Sequence, residues 1–173
     1  MANSVPQVLA NYEMYLDGAR KIGVVTVTMP TVNRLRAEIK GAGISGVVSA
    51  PIQGHTEDMN GTIAFRTITS ESVDYLNQGY NHFEFWGGIQ ELDRSTNKYV
   101  YKQHKVLWMA MPANLTIGQF AVGELQNREV EFNITVLREW HDNKETLHID
   151  KFNYIDSMGG KDALAGLKSA IGL

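Results

Sequence analysis

The chain has 173 residues, a formal net charge of −3 and no cysteine. That length suits one domain burying roughly two-thirds of its unfolded surface. The mild acidity argues against a basic, phosphate-binding face, and the lack of cysteine excludes disulfides and thiolate metal sites. No apolar run approaches the ~20 residues that cross a bilayer, and the first residues lack the basic and apolar regions of a secretory signal.

In chain order, residues 1–10 form a weakly patterned arm that Pro6 keeps from starting a helix. Tyr12, Met14 and Leu16 alternate with Glu13 and Tyr15, and Asp17-Gly18 then supplies a hairpin turn. Val25, Val27 and Met29 alternate with threonines until Pro30 ends the strand. Over 34–40, Leu35, Ala37 and Ile39 point one way and Arg34, Arg36, Glu38 and Lys40 the other, which predicts a half-buried strand. A glycine loop, Gly41-Ala42-Gly43-Ile44-Ser45-Gly46, leads into an apolar run that Pro51 is expected to stop.

Met59, Gly61, Ile63 and Phe65 predict a further strand. A hydroxyl cap and acidic first turn predict a helix over 70–78. Phe83 and Phe85, a long strand over 99–109, and Val130, Phe132, Ile134 and Val136 continue the β pattern. Residues 112–123 show no clear period and read as a loop with a short strand or turn. His141-Asp142-Asn143-Lys144 is a turn before a last strand with Leu147 and Ile149, and Leu164, Leu167 and Ile171 make a short amphipathic end. Many short strands with one or two helices point to a β-sandwich or open barrel.

Chemistry-bearing motifs are weak throughout. The GxGxxG lacks the buried parallel strand before it and the helix N-terminus after it that a dinucleotide needs, so no cofactor is expected. His141 and His148 flank a turn near Asp142, Glu145 and Asp150, but turn histidines are mostly solvated, and no metal is expected. Glu129 and Glu131 share one strand face as a glycosidase pair would, and Tyr99, Tyr101 and Trp108 offer carbohydrate-stacking rings. A solvent-facing edge and core packing account for the same residues. No serine elbow occurs, and no enzyme is expected.

The order of features at both ends carries a resemblance: Pro6-Gln7, Leu16-Asp17-Gly18, Thr28-Met29-Pro30 and Gly41-Ala42-Gly43, then Ile149-Asp150, Asn153, Gly160, Asp162, Leu164-Ala165 and a terminal Gly172-Leu173. It resembles the major tail tube proteins of contractile phages of the P2 type and of R-type bacteriocins (tailocins), best over about 5–50 and 147–173. Met29-Pro30 stands where the family is expected to have Leu-Pro.

The resemblance implies two packed antiparallel β-sheets with a flanking helix, in a single domain whose segment about 159–173 docks on the domain or a neighbour. It implies hexameric rings, closed by a shared β-barrel and stacked helically into a conduit that a contracting sheath drives through a cell envelope. Expected partners are the chain itself, the sheath, baseplate, tail terminator and tape measure proteins, and DNA in transit if the particle is a phage. The expected location is the particle tail, assembled in the bacterial cytoplasm. Arg34, Arg36, Glu38, Lys40, Gly41, Gly43 and Gly46 are the expected inter-subunit or inter-ring contact. A type VI secretion tube protein and a monomeric carbohydrate-binding sandwich are the alternatives.

Overall fold

The computed structural model describes residues 4–18, 20–22, 25–66 and 79–172. The helix expected over 70–78 lies outside the described residues. Twelve strands and one short helix are described. They are β1 (Ser4–Leu16), β2 (Arg20–Ile22), β3 (Val25–Thr28), β4 (Arg34–Ile39), β5 (Val48–Thr56), β6 (Met59–Phe65), β7 (Asn81–Asp93), β8 (Lys98–Thr116), β9 (Arg128–His141), β10 (Lys144–Asp150), β11 (Ile155–Met158), β12 (Lys161–Asp162) and α1 (Ala165–Ile171).

All pairings are antiparallel, in one ten-stranded sheet and the separate β4–β5 pair. The large sheet runs β12-β11-β10-β9-β8-β7-β1-β2, and a second branch, β6 with β3 outside it, leaves from β9. The branch point is Thr135. On one edge of β9, Arg128–Ile134 pairs with β6, and Val136–His141 pairs with β10. At the divide the Thr135 hydroxyl donates to the Met109 carbonyl (3.2 Å), and the Thr135 carbonyl accepts from the Lys151 N–H (3.2 Å). The β6–β3 branch folds back over the apolar face of the sheet, where the Tyr12 hydroxyl donates to the Val25 carbonyl across 2.6 Å. The result is a sandwich whose ladder does not close on itself.

The core between the layers holds Met14, Leu16, Met59, Ile63, Phe65, Phe83, Phe85, Val106, Trp108, Val130, Phe132, Ile134, Leu137 and Ile149. Trp108 sits at its centre, fully buried, 4.6 Å from the Phe85 ring. Gly61 of β6 makes room for it: a Cβ there would lie 2.5 Å from Trp108 Cη2. This burial removes Trp108 from any carbohydrate-binding platform; only Tyr99 and Tyr101 of that trio remain exposed.

Two local expectations change and a third sharpens. The arm expected over 1–10 is, from Ser4 onward, the first half of β1, paired with β7; a bulge beside Pro6 absorbs its missing N–H. Pro51 does not stop β5, because β5 is an edge strand and tolerates a residue without a donor. Residues 112–116 continue β8 past a second bulge between Pro112 and Asn114, so the loop begins only after Thr116.

The turn signals held. Asp17 and Gly18 both take positive φ (52° and 73°), and so do Asp142 and Asn143 (48° and 62°) at the β9–β10 hairpin, as tight hairpins require. The β10–β11 turn is pinned by Asp150, whose Oδ1 accepts from the N–H groups of Phe152 and Asn153, each at 3.0 Å.

Replacing Gly61 with alanine forces Trp108 or Ile134 from its seat. It should destabilise the fold by ~1–3 kcal/mol in equilibrium denaturation, whereas Gly123→Ala, in open space but at positive φ, tests the backbone cost alone.

Candidate assembly surface

Every residue expected at the subunit contact lies on the β4–β5 hairpin. Its strands pair from Arg34↔Thr56 to Ile39↔Val48, and Gly41, Gly43 and Gly46 form its tip. Positive φ at Gly43 (92°) and Gly46 (113°) explains the glycines there. The tip returns directly into β5, so no helix N-terminus stands behind the GxGxxG.

The base of the hairpin is locked to the sandwich. Arg34 makes a forked ion pair with Asp156 of β11, one guanidinium nitrogen on each carboxylate oxygen, the second at 3.0 Å. Asp156 is almost wholly buried, and this fork engages both of its oxygens. Opposite Arg34–Arg36, β5 travels from Thr56 to Pro51, a wide bulge in which Gly54 takes φ 72°. Leu164 fills the space over it: a Cβ on Gly54 would fall 2.0 Å from Leu164 Cδ2. Thus the C-terminal segment is fastened through Leu164, while Leu167 and Ile171 of α1 stay exposed. Asp162 holds this corner, accepting from the Leu164 N–H (2.9 Å) and the Lys168 ammonium (3.0 Å).

Beyond its base the hairpin is uncovered. The expectation of a half-buried strand over 34–40 is corrected here: Leu35 and Ile39 are 44% and 45% exposed. Alternation predicted the two faces but not whether the apolar one is covered within the same chain. Val48, the cross-strand partner of Ile39, shares that face, and Ile44, Val47 and Ile52 are also exposed on the hairpin; single-chain proteins rarely leave large apolar patches open. On the polar face Arg36, Glu38 and Lys40 have no ion-pair partner among the described residues. Arg34, by contrast, is satisfied inside the chain.

A second uncovered region has no counterpart in the sequence reading. Residues 117–127 form a loop ordered by backbone bonds from Gln119 N–H to the Gln126 carbonyl (2.9 Å) and from Gln126 N–H to the Arg66 carbonyl (3.2 Å). Its Phe120 is 89% exposed and Val122 entirely so. The available signal was an apolar loop without period, bracketed by Gly118 and Gly123.

The face of β7–β10 opposite the core carries a polar-aromatic band. Lys105 bonds Glu84 (3.1 Å) and lies 4.3 Å over the Trp86 ring; Arg138 lies 4.7 Å from the Trp140 ring and bonds Glu145 (2.7 Å). Burial pushes the Glu84 carboxyl up, but the Trp86 indole N–H and the Lys105 ammonium outweigh it, and its pKa falls below the ordinary 4.5. His148 faces Glu145 at 3.8 Å, whereas His141 turns to Glu139 (3.4 Å), so the metal pair weighed for His141 and His148 does not assemble. Of the carboxylate pair, Glu131 accepts from the Asn114 side chain (2.6 Å), an ordinary cross-strand contact.

A two-layer antiparallel sandwich with a projecting, uncovered hairpin defines the class: a mainly β protein with an open surface suited to association. The chain belongs to the phage tail tube protein FII family, whose model matches residues 6–172. Among the solved structures that share the fold are two from an extracellular contractile injection system, PVC, in its extended state. One is described as the sheath/tube terminator (TM-score 0.55, 14% identity, covering 79% of this chain and 97% of that one). The other is from the sheath-tube complex (TM-score 0.52, 16% identity, covering 75% and 87%). No curated protein matches. The chain therefore has a structural role as a tail tube protein.

Arg34→Ala leaves the buried Asp156 carboxylate unpaired and should cost ~3–5 kcal/mol of stability, while Arg36→Ala should stay within about 0.5 kcal/mol of the parent, both read by denaturant titration. The Glu84 contacts act through a depressed folded-state pKa. Their contribution is complete above the unfolded value near 4.5 and lost as pH falls through the lower folded value. A Glu84→Gln variant should lose less stability across that acid window than the parent, measured by unfolding midpoints at stepped pH.

Proposed function

We propose that this protein is the repeating subunit of the inner tube of a contractile particle, assembling into hexameric rings that stack helically into a conduit. The observation that carries the reading is the β4–β5 hairpin: anchored at its base by Arg34–Asp156, apolar along Leu35, Ile39, Val47 and Val48, and uncovered on both faces. An anchored, uncovered hairpin is suited to seating on a neighbouring copy, where its apolar side would lose its water. The open ladder supports ring formation as well. Sheet edges are ordinarily paired or blunted, and a ring of copies closing into a shared barrel would pair them.

Within this reading, Arg36, Glu38 and Lys40 make ion pairs between subunits or between rings, and Gly41, Gly43 and Gly46 shape the tip at that contact. Arg34 contributes indirectly, by fixing the hairpin's exit from the sandwich. The sheath is the proposed outer partner, since one structural neighbour is from a sheath-tube complex. Baseplate, terminator and tape measure proteins would meet the ends and lumen of the tube, which would sit in the particle tail after assembly in the host cytoplasm. Function would be mechanical: a rigid channel driven through the envelope when the sheath shortens, carrying DNA if the particle is a phage.

Negative-stain microscopy of tail preparations tests this. Ile39→Lys and Val47→Asp, both at exposed positions, should leave the thermal midpoint of the isolated subunit near that of the parent and abolish tubes. Charge reversal at Arg36 should shorten or abolish them. Normal tubes from Ile39→Lys and Val47→Asp would remove the hairpin from the assembly contact.

A further inference from the structure

We propose that His104, Glu139 and His141 form a binding site for a borderline divalent transition metal, with zinc as the fitting ion. The site does not depend on the tube reading, and none of its residues belongs to the hairpin.

The three residues are brought together by strand register. His104 on β8 and His141 on β9 are direct cross-strand partners, and Glu139 lies two positions before His141, on the same face of β9. They occupy the core-facing side of the sheet just past Val106 and Leu137, where the apolar filling ends and the face opens to solvent. The two imidazole rings stack with centroids 4.3 Å apart and planes within 9°. Both Nε2 atoms converge on one oxygen: Glu139 Oε1 lies 2.8 Å from His104 Nε2 and 3.4 Å from His141 Nε2.

This convergence is what a tetrahedral centre needs. Zinc bonds of 2.0–2.2 Å at tetrahedral angles hold neighbouring ligand atoms about 3.3 Å apart. The ligand atoms of these three residues all lie within 4.8 Å of one another, so small movements of the side-chain ends complete the geometry. Two nitrogens and one carboxylate oxygen match zinc rather than calcium or magnesium, which take oxygen ligands. A partly exposed His141 leaves a fourth position for water.

The surroundings suit a cation. Thr146 on β10 places its hydroxyl 3.2 Å from Glu139 Oε2, holding the carboxylate by its other oxygen and leaving Oε1 to point between the rings. Lys102, two positions from His104, is engaged by Glu91 (3.2 Å) and Asp142 (3.6 Å), so its charge is balanced. Ligation of a metal uses the neutral form of both rings.

The test is calorimetric titration of the full chain with zinc chloride, with cobalt(II) absorption as a report on coordination geometry. One zinc per chain is expected, with a rise in thermal midpoint. His141→Ala and Glu139→Gln, at partly exposed positions that leave the core intact, should each weaken binding at least ~10-fold; Thr146→Val should do so by about 10-fold through the carboxylate it holds. His55→Ala and His148→Ala should bind as the parent does. Absence of saturable binding, or affinity unchanged in both His141→Ala and Glu139→Gln, would overturn the assignment and leave only adventitious binding to surface histidines.

Discussion

The packing of one large ring against one missing side chain sets the rest of this structure. Trp108 of β8 occupies the space that a side chain at position 61 of β6 would take. These two strands belong to opposite layers, joined through β9. Gly61 therefore decides how closely the β6–β3 branch approaches the long strands, and Phe83, Phe85, Phe132 and Ile134 fill in around the indole. Interiors are packed nearly as tightly as crystals, so a contact of this kind fixes layer spacing rather than merely tolerating it. The hairpin and the C-terminal corner hang from that sandwich by a few defined attachments: Arg34 on Asp156, and Leu164 on Gly54.

The family match carries the tube assignment; the division between a dense body and a lightly attached periphery supports the assembly proposed for it. Inside the sandwich, the side chains packed around Trp108 are covered. Outside it, an anchored hairpin and the ordered loop with Phe120 and Val122 present apolar side chains to solvent. A subunit destined for a ring must be stable enough alone to fold and incomplete enough to associate. Here the incompleteness is localised on elements whose loss of water on contact would leave the core untouched. Burying a hydrophobic side chain is worth about 1.5–3 kcal/mol, so in the proposed ring a few such residues per copy would supply substantial cohesion.

The sequence carried the body of the fold well because its signals are local. Strict alternation at Met59–Phe65, and over Val130, Phe132 and Ile134, marks strands with one covered face, and Asp17-Gly18 and Asp142-Asn143 mark tight hairpins. The order of features at the two ends carried the family. What the sequence obscured depends on tertiary context. Leu35, Ala37 and Ile39 have the pattern of a core face, and pattern alone cannot tell a face covered by the same chain from one left for another. Proline at position 51 suggested a break, but it lies on an edge strand. Short β11 and β12 were missed because the turn before them is made by the Asp150 side chain. The His104–Glu139–His141 cluster was missed because it exists only once β8 and β9 take their register; Glu139 and His141 two apart on one strand were its sole local trace.

The central claim is that the β4–β5 hairpin, open in the single subunit, is covered in the assembled particle. Hydrogen–deuterium exchange of the backbone amides over residues 34–56, compared between isolated subunit and intact tail, tests it directly. The account predicts fast exchange near the tip and along the outer edges of β4 and β5 in the subunit, and strong protection of the same amides in the tail. Equal exchange in both states would contradict it.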